Sequence, residues 1–291
     1  MKDMKINPVY KKEVKTNTRS IKFLVMVIIF NILLMLGGLT ILYDVIDLIE
    51  SSANINYTAI GALYQLLTIT EFILMLFMMS AMTSSAISGE RERQTLDILL
   101  STKLTAANII IGKLASSVHV MTLVIISGLP VMSIVFIFGG ISFRDIIEIT
   151  AYLIFATFFI GTLGITLSTM LKRTAFATAI TYGSVLFFCL GTLVLIAILM
   201  SGTNSPDAIK APGWTLMLLL INPSITLLEL VNRQLGDTSR LFIFESGIEI
   251  SLFLKTHWII LSVMVQSIIS AILLRFSFHK LNPLKKKVRL F

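Results

Sequence analysis

Six stretches of this chain, at residues 23–43, 61–84, 114–138, 147–170, 175–200 and 257–276, are apolar over at least the length a helix needs to cross a membrane. Roughly 20 residues rising 1.5 Å each cover the roughly 30 Å of hydrocarbon. Backbone groups there must pair within their own segment, so such runs read as helices, and the alternation of barrel strands is missing. Of 291 residues, 56% are hydrophobic and only 14% charged, against roughly 25% charged in soluble domains. The expected fold is an all-α integral membrane protein with six transmembrane helices. The first run follows a basic stretch, as a secretory signal does, but it is too long and lacks a cleavage site.

Charge sets the orientation. Lys plus Arg number seven in 1–22, four in 84–113, two in 171–174 and six in 275–291, which alternation places on one side. The other side has Arg144, Lys210, Arg233, Arg240 and Lys255, mostly in one long loop where the positive-inside rule has little force. Both termini are therefore expected in the cytoplasm. A seventh crossing at Trp214–Val231 is interrupted by Asn222 and Pro223 and would put the Lys285, Lys286, Lys287 cluster outside. Two short helices, Trp214–Ile221 and Pro223–Arg233, fit better, with Asn222 as N-cap and Pro223 at the first helical position. Each is too short to cross; they dip into or lie on the outer leaflet, or pack as an outer loop.

The chain thus divides into an N-terminal helix at 1–22, a transmembrane domain at 23–276 with a cytoplasmic loop at 85–113 and an outer loop at 201–256, and a basic tail at 277–291. Asn7 and Pro8 open the first helix, which places Ile6, Val9, Tyr10 and Val14 near one face and Lys11, Lys12 and Lys15 elsewhere. Such a helix lies on the membrane surface, either as an anchor to lipid or as a binding element.

Several chemistries have no support. The net charge of +8 sits beside the spans and forms no soluble basic face, so nucleic acid is not expected. Cys189 is alone, and His119, His257 and His279 are far apart, so neither a disulfide nor a metal cluster can be argued. His257 and Trp258 read as an interfacial anchor. The nearest approach to a P-loop, residues 107–114, has Ala107 for the first glycine and Leu114 for the hydroxyl. With no nucleophile-elbow motif either, the chain is expected not to be an enzyme by itself.

Ser88–Lys113 is the most informative stretch. Glu90, Arg91, Glu92 and Arg93 continue the second span outward, and Leu96, Leu99 and Leu100 then form a short apolar helical face. That face needs a cover, which the protein, the membrane surface or a partner could supply. The stretch resembles the loop after the second span in permeases of the ABC-2 type exporter family, where a (G)ERE(R/K)-x-T-L-(D/E)-x-L-L-x-(S/T)-P-(L/V) pattern precedes I-x-x-G-K. Gly89, Glu90, Arg91, Glu92, Arg93, Thr95, Leu96, Asp97, Leu99, Leu100, Thr102, Leu104, Ile109, Gly112 and Lys113 match, while Lys103 replaces the frequent proline.

The resemblance implies a coupling helix seated on a separate ATPase, with Leu96, Leu99 and Leu100 as buttons in its groove and Glu90 to Arg93 as a charged hinge. It further implies a permease paired with a second copy or a paralogue, two ATPase subunits that bind ATP and magnesium, alternating access, and export. This chain would bind no cofactor. Family members place the second and fifth spans near the midline.

Two features lie inside spans. Glu71 sits near mid-bilayer with Thr68 on its face, and a buried acid there reads either as part of a translocation path or as a neutral group bonded to a neighbouring helix. Ala175, Ala179, Gly183 and Gly191 recur at multiples of four, a packing seam for a second copy or for another helix of the same chain. Outside the resemblance, a membrane scaffold or sensor using residues 88–105, and a secondary transporter using Glu71, stand as alternatives. No sequence feature names a substrate. Compact size and the lack of a targeting extension suggest a bacterial plasma membrane.

Overall fold

A computed structural model describes residues 7–52, 57–101, 104–137, 141–201, 213–236 and 256–281. Every element among them is helical: α1 (Pro8–Thr18), α2 (Ile21–Ser52), α3 (Tyr57–Ser84), α4 (Ser88–Glu92), α5 (Leu96–Ser101), α6 (Ala106–Ile137), α7 (Phe143–Met170), α8 (Thr174–Leu186), α9 (Thr192–Ser201), α10 (Gly213–Ile221), α11 (Pro223–Leu235) and α12 (Trp258–Leu281). A π turn, Phe187–Gly191, joins α8 to α9. Six segments are long and apolar enough to cross a membrane, carried by α2, α3, α6, α7, the α8–α9 rod and α12. Lys103, the Lys285–Lys287 cluster and most of the 201–256 loop lie outside the described residues.

Several helices overshoot the expected spans. Hydropathy marks the part that lies in lipid, whereas α6 begins at Ala106 instead of 114 and α12 continues to Leu281 instead of 276. The overshoot of α6 carries polar residues, Asn108 and Lys113, which engage the elements on that side of the bundle.

α7 is the hub, packed against α3, α6, α8 and α12. Its Gly161 and Gly164 let α3 approach closely: a methyl group at Gly164 would overlap Thr83, and one at Gly161 would overlap Met79. Small residues serve helix contact in lipid because association there depends on packing and hydrogen bonds. A polar face of α12 completes the core. Ser262, Gln266, Ser270 and Ser277 are all buried; Ser270 bonds Thr162 at 3.3 Å and Ser277 bonds Thr166 at 3.0 Å, both on α7.

Asn222 separates α10 from α11 and is fully buried. Its side-chain oxygen accepts from the Ser224 amide at 2.7 Å, capping α11, while its Nδ2 donates to the Cys189 carbonyl at 3.0 Å and to Thr192 Oγ1 at 2.7 Å. The π turn shifts the ladder there, and Asn222 takes up the Cys189 carbonyl. Tyr152 donates to the Pro223 carbonyl at 2.6 Å, so this break in the chain is pinned to α7 as well.

α1 packs along the start of α6. Asn7 caps it, accepting from the Val9 amide at 3.0 Å, and donates to the Asn108 carbonyl at 2.6 Å. Val9 is buried over Gly112, where a Cβ would stand only 2.9 Å from Val9 Cβ. The apolar face expected on the membrane surface is thus met, at Val9, by a protein helix with its side chain removed.

Candidate functional site

The charged segment after α3 is tied to three other helices and, through Lys113, to a fourth. Ser168 of α7 accepts from the amides of Ile87 and Ser88, both at 3.0 Å, which fixes the start of α4. Arg91 donates to the Leu171 and Thr169 carbonyls at 2.8 and 3.1 Å, a cation on the carbonyl end of α7. Glu92 accepts from the Thr174 amide at 2.8 Å and from Thr174 Oγ1 at 2.7 Å, an anion on the amide end of α8. One side chain therefore closes the end of α7, and the next in sequence opens α8.

Glu90 reaches in another direction. It accepts from Lys113 of α6 at 2.7 Å, and the same ammonium reaches Glu13 of α1 at 2.5 Å. The Lys113 side chain is only 6% exposed, whereas the two acids are about a quarter exposed. Lys113 is thus a half-desolvated clasp between α1, α4 and α6. Arg93, by contrast, is exposed and makes no ion pair among the described residues.

Beyond α4 the chain turns at Gln94, whose φ of 58° lies in the left-handed region, where a side chain costs roughly 1–2 kcal/mol. Thr95 holds the turn, its amide donating to the Glu90 carbonyl at 2.9 Å. The turn directs α5 back onto the bundle. Leu96 is buried in the main core, and Leu99 and Leu100 pack partly buried against it. The three leucines assigned by resemblance as outward-facing buttons are therefore covered largely by the permease itself. A six-residue helix has one apolar face, and its own bundle takes it. The residues it presents outward are Asp97 and Ile98, the latter 68% exposed.

A cavity of about 340 Å³ lies between α3, the α8–α9 rod and α11. Phe72, Phe77, Tyr182, Cys189 and Leu228 contribute to a lining that is almost wholly apolar. Tyr182 spends its hydroxyl on the Phe77 carbonyl at 2.9 Å, which leaves its ring facing the cavity. Thr68 and Glu71 are not among its lining residues. They lie on another face of α3, and the Glu71 carboxyl stands against Gly128 of α6 in the neighbourhood of Phe30 and Leu34 of α2. Both are buried, and no hydrogen bond or ion pair of the Glu71 carboxyl is seen among the described residues.

The small-residue seam divides. Ala175, Ala179 and Gly183 are exposed on one face of α8, and nothing lies within 4 Å of where a Gly183 Cβ would be. Gly191 is the last residue of the π turn and packs against Phe187 of its own rod. Among the described residues no group of His, Cys, Asp and Glu could hold a metal ion.

Sequence reasoning missed Ser168 and Thr174, and it quoted Lys113 only as the end of a motif, without its partners Glu13 and Glu90. Thr174 left a signal of its own, a threonine at the start of an apolar run where a helix needs its first amides satisfied. The family model described as ABC-2 family transporter protein matches residues 7–280, from the cap of α1 to the last turn of α12. No individual curated protein matches the sequence at a significant level.

Proposed function

The chain belongs to the ABC-2 transporter family and is a membrane permease of an ABC transporter; on that footing we propose that it exports an apolar or amphipathic compound, driven by a separate ATPase chain docked on the α4–α5 side. One observation carries the reading. Consecutive charged residues of α4 are each fixed to a different crossing helix: Glu90 to α6, Arg91 to the end of α7 and Glu92 to the start of α8. A displacement of that short helix is delivered to three spans at once.

A separate motor is supported by the lack of any P-loop sequence in the 291 residues. The Lys and Arg bias supports a cytoplasmic position for the α4–α5 side. Docking uses the outward residues Arg93, Asp97 and Ile98, with Leu99 and Leu100 at the margin. The apolar cavity between α3 and α8 receives the apolar part of the substrate, and a second permease copy meets it along Ala175, Ala179 and Gly183. Thr68 and Glu71 face away from that cavity, so their part in the path requires movement of α3 against α2 and α6.

The test pairs Glu92→Gln with Ile98→Asp in cells that carry the cognate ATPase. Substrate-stimulated ATP turnover should fall roughly tenfold for each, within the usual range of coupling between sites, while membrane insertion is unchanged. Full stimulation in both variants would remove the α4–α5 loop from the drive.

A further inference from the structure

On the side of the bundle opposite the α4–α5 loop, a cleft of about 730 Å³ opens between α7, α11 and α12. It is separate from the α3–α8 cavity and differs from it in chemistry. Arg144, Glu148 and Phe155 fall on one face of α7, so the lining passes from charged to aromatic over about 16 Å of helix. Ile260 and Val263 of α12 continue the apolar part, and Ile260 is 56% exposed, so the cleft opens laterally where lipid would be. Arg233, at the end of α11, stands over the mouth.

The walls are held in place. Gln234 donates to the Asp145 carbonyl at 3.2 Å and accepts from the Tyr64 hydroxyl at 2.6 Å, which fixes the end of α11 to α7 and α3. Asp145 is committed to capping α7, accepting from the Ser142 amide at 2.8 Å. Arg144 binds Glu148 Oε1 at 2.9 Å, and Oε2 makes no hydrogen bond among the described residues. Arg233 has no acid within ion-pair distance among them. The formal charges of Arg144, Arg233, Asp145 and Glu148 cancel, so among the described residues the mouth offers Arg233 without an acid partner and Glu148 Oε2 without a hydrogen bond, at no net charge.

We propose that this cleft binds one zwitterionic phospholipid, its phosphate at Arg233, its ammonium at Glu148 and one acyl chain along Phe155, Ile260 and Val263. An anionic lipid would satisfy Arg233 but leave the Glu148 oxygen facing a second negative group. A neutral, apolar ligand would leave both uncompensated. The amphipathic gradient along α7 matches a lipid standing upright in the leaflet on this side.

Native mass spectrometry of the full chain in detergent, titrated with dioleoyl phosphatidylethanolamine and dioleoyl phosphatidylglycerol, tests the site. The unaltered protein should retain one phosphatidylethanolamine per chain in preference to phosphatidylglycerol. Arg233→Gln should weaken retention of both lipids roughly tenfold, as loss of a charge-assisted hydrogen bond does. Glu148→Gln should narrow the preference between them, and Val263→Trp should fill the floor and exclude both. Lys172→Gln, a cation on the other side of the bundle, should change nothing. Preference of the unaltered protein for phosphatidylglycerol overturns the proposal, as does equal retention by the Arg233 and Val263 variants. So does an equal loss in the Lys172 variant, which would mark adhesion of bulk lipid. The comparison of the two lipids on the unaltered protein decides even if a variant fails to fold.

Discussion

Replacing Lys113 with methionine should destabilise the protein by about 2–3 kcal/mol, and replacing its two acids in the same chain should restore most of that loss. Lys113 is 6% exposed while Glu13 and Glu90 are 26% and 27% exposed. Breaking a fully buried pair costs roughly 3–5 kcal/mol, and an exposed pair is worth roughly 0.2–1 kcal/mol; partial access of water to the acids places this clasp between those limits. Lys113→Met leaves two carboxylates facing one another with no cation between them, whereas Glu13→Gln alone leaves the Lys113–Glu90 pair intact and should cost under about 1 kcal/mol. The triple variant Lys113→Met, Glu13→Gln, Glu90→Gln removes charge and partner together, so it should lie close to the unaltered protein. Thermal unfolding of detergent-solubilised protein, measured as a mutant cycle at one heating rate, reads these differences. A Lys113→Met variant within about 0.5 kcal/mol of the unaltered protein, or a triple variant no better than it, would show that the clasp is solvated and does not hold α1 to α4 and α6.

Two further outcomes rest on the geometry elsewhere. Asn222→Ala should cost about 2–4 kcal/mol in the same unfolding assay, since it removes the cap of α11 and both hydrogen bonds donated to Cys189 and Thr192; Asn222→Asp keeps the cap but buries a carboxylate oxygen against the Cys189 carbonyl, and should be no more stable than Asn222→Ala. Gly183→Cys in a Cys189→Ala background should cross-link two chains under mild oxidation if the exposed face of α8 meets a second copy, whereas cysteine at exposed Ile268 of α12 should not.

The crossing helices were legible because lipid leaves an apolar helix few alternatives, and the ends were not because a helix continues past the hydrocarbon without a change in backbone. The Leu96, Leu99, Leu100 face was legible as a face that needs covering, but helical spacing carries no record of what covers it, and the bundle itself does. The seam illustrates a different limit. Counting in fours from Ala175 to Gly191 assumes one unbroken α-helix, and the π turn at Phe187–Gly191 changes the winding within that count, so Gly191 at its end leaves the line. Lys113 was visible only as the last letter of a motif. Its partners are 100 and 23 residues away, and nothing in the local pattern of α6 announces them.

Among the four consecutive charges of α4 and its C-cap, the division of labour has a testable edge at Arg91 and Arg93. Both are arginines two residues apart, one in a short helix and one at its C-cap, so a reading from composition gives them the same role. The structure separates them: Arg91 donates to two carbonyls at the end of α7, while Arg93 is exposed with no ion pair among the described residues. Removing Arg91 leaves the last carbonyls of α7 without their charged donor, so Arg91→Ala should lower stability by about 1.5–3 kcal/mol whether or not an ATPase is present. Arg93→Ala strips nothing from the isolated permease and should leave its unfolding unchanged. If the outward side of this loop is where the motor sits, the same change should weaken copurification of the ATPase. An Arg93→Ala protein that is as stable and as well accompanied as the unaltered one would move the docking face off α4 and onto Asp97 and Ile98 alone. An Arg93→Ala protein that loses stability on its own would mean that α4 is held by contacts other than those from Glu90, Arg91 and Glu92, and the delivery of its motion to α6, α7 and α8 would have to be sought there.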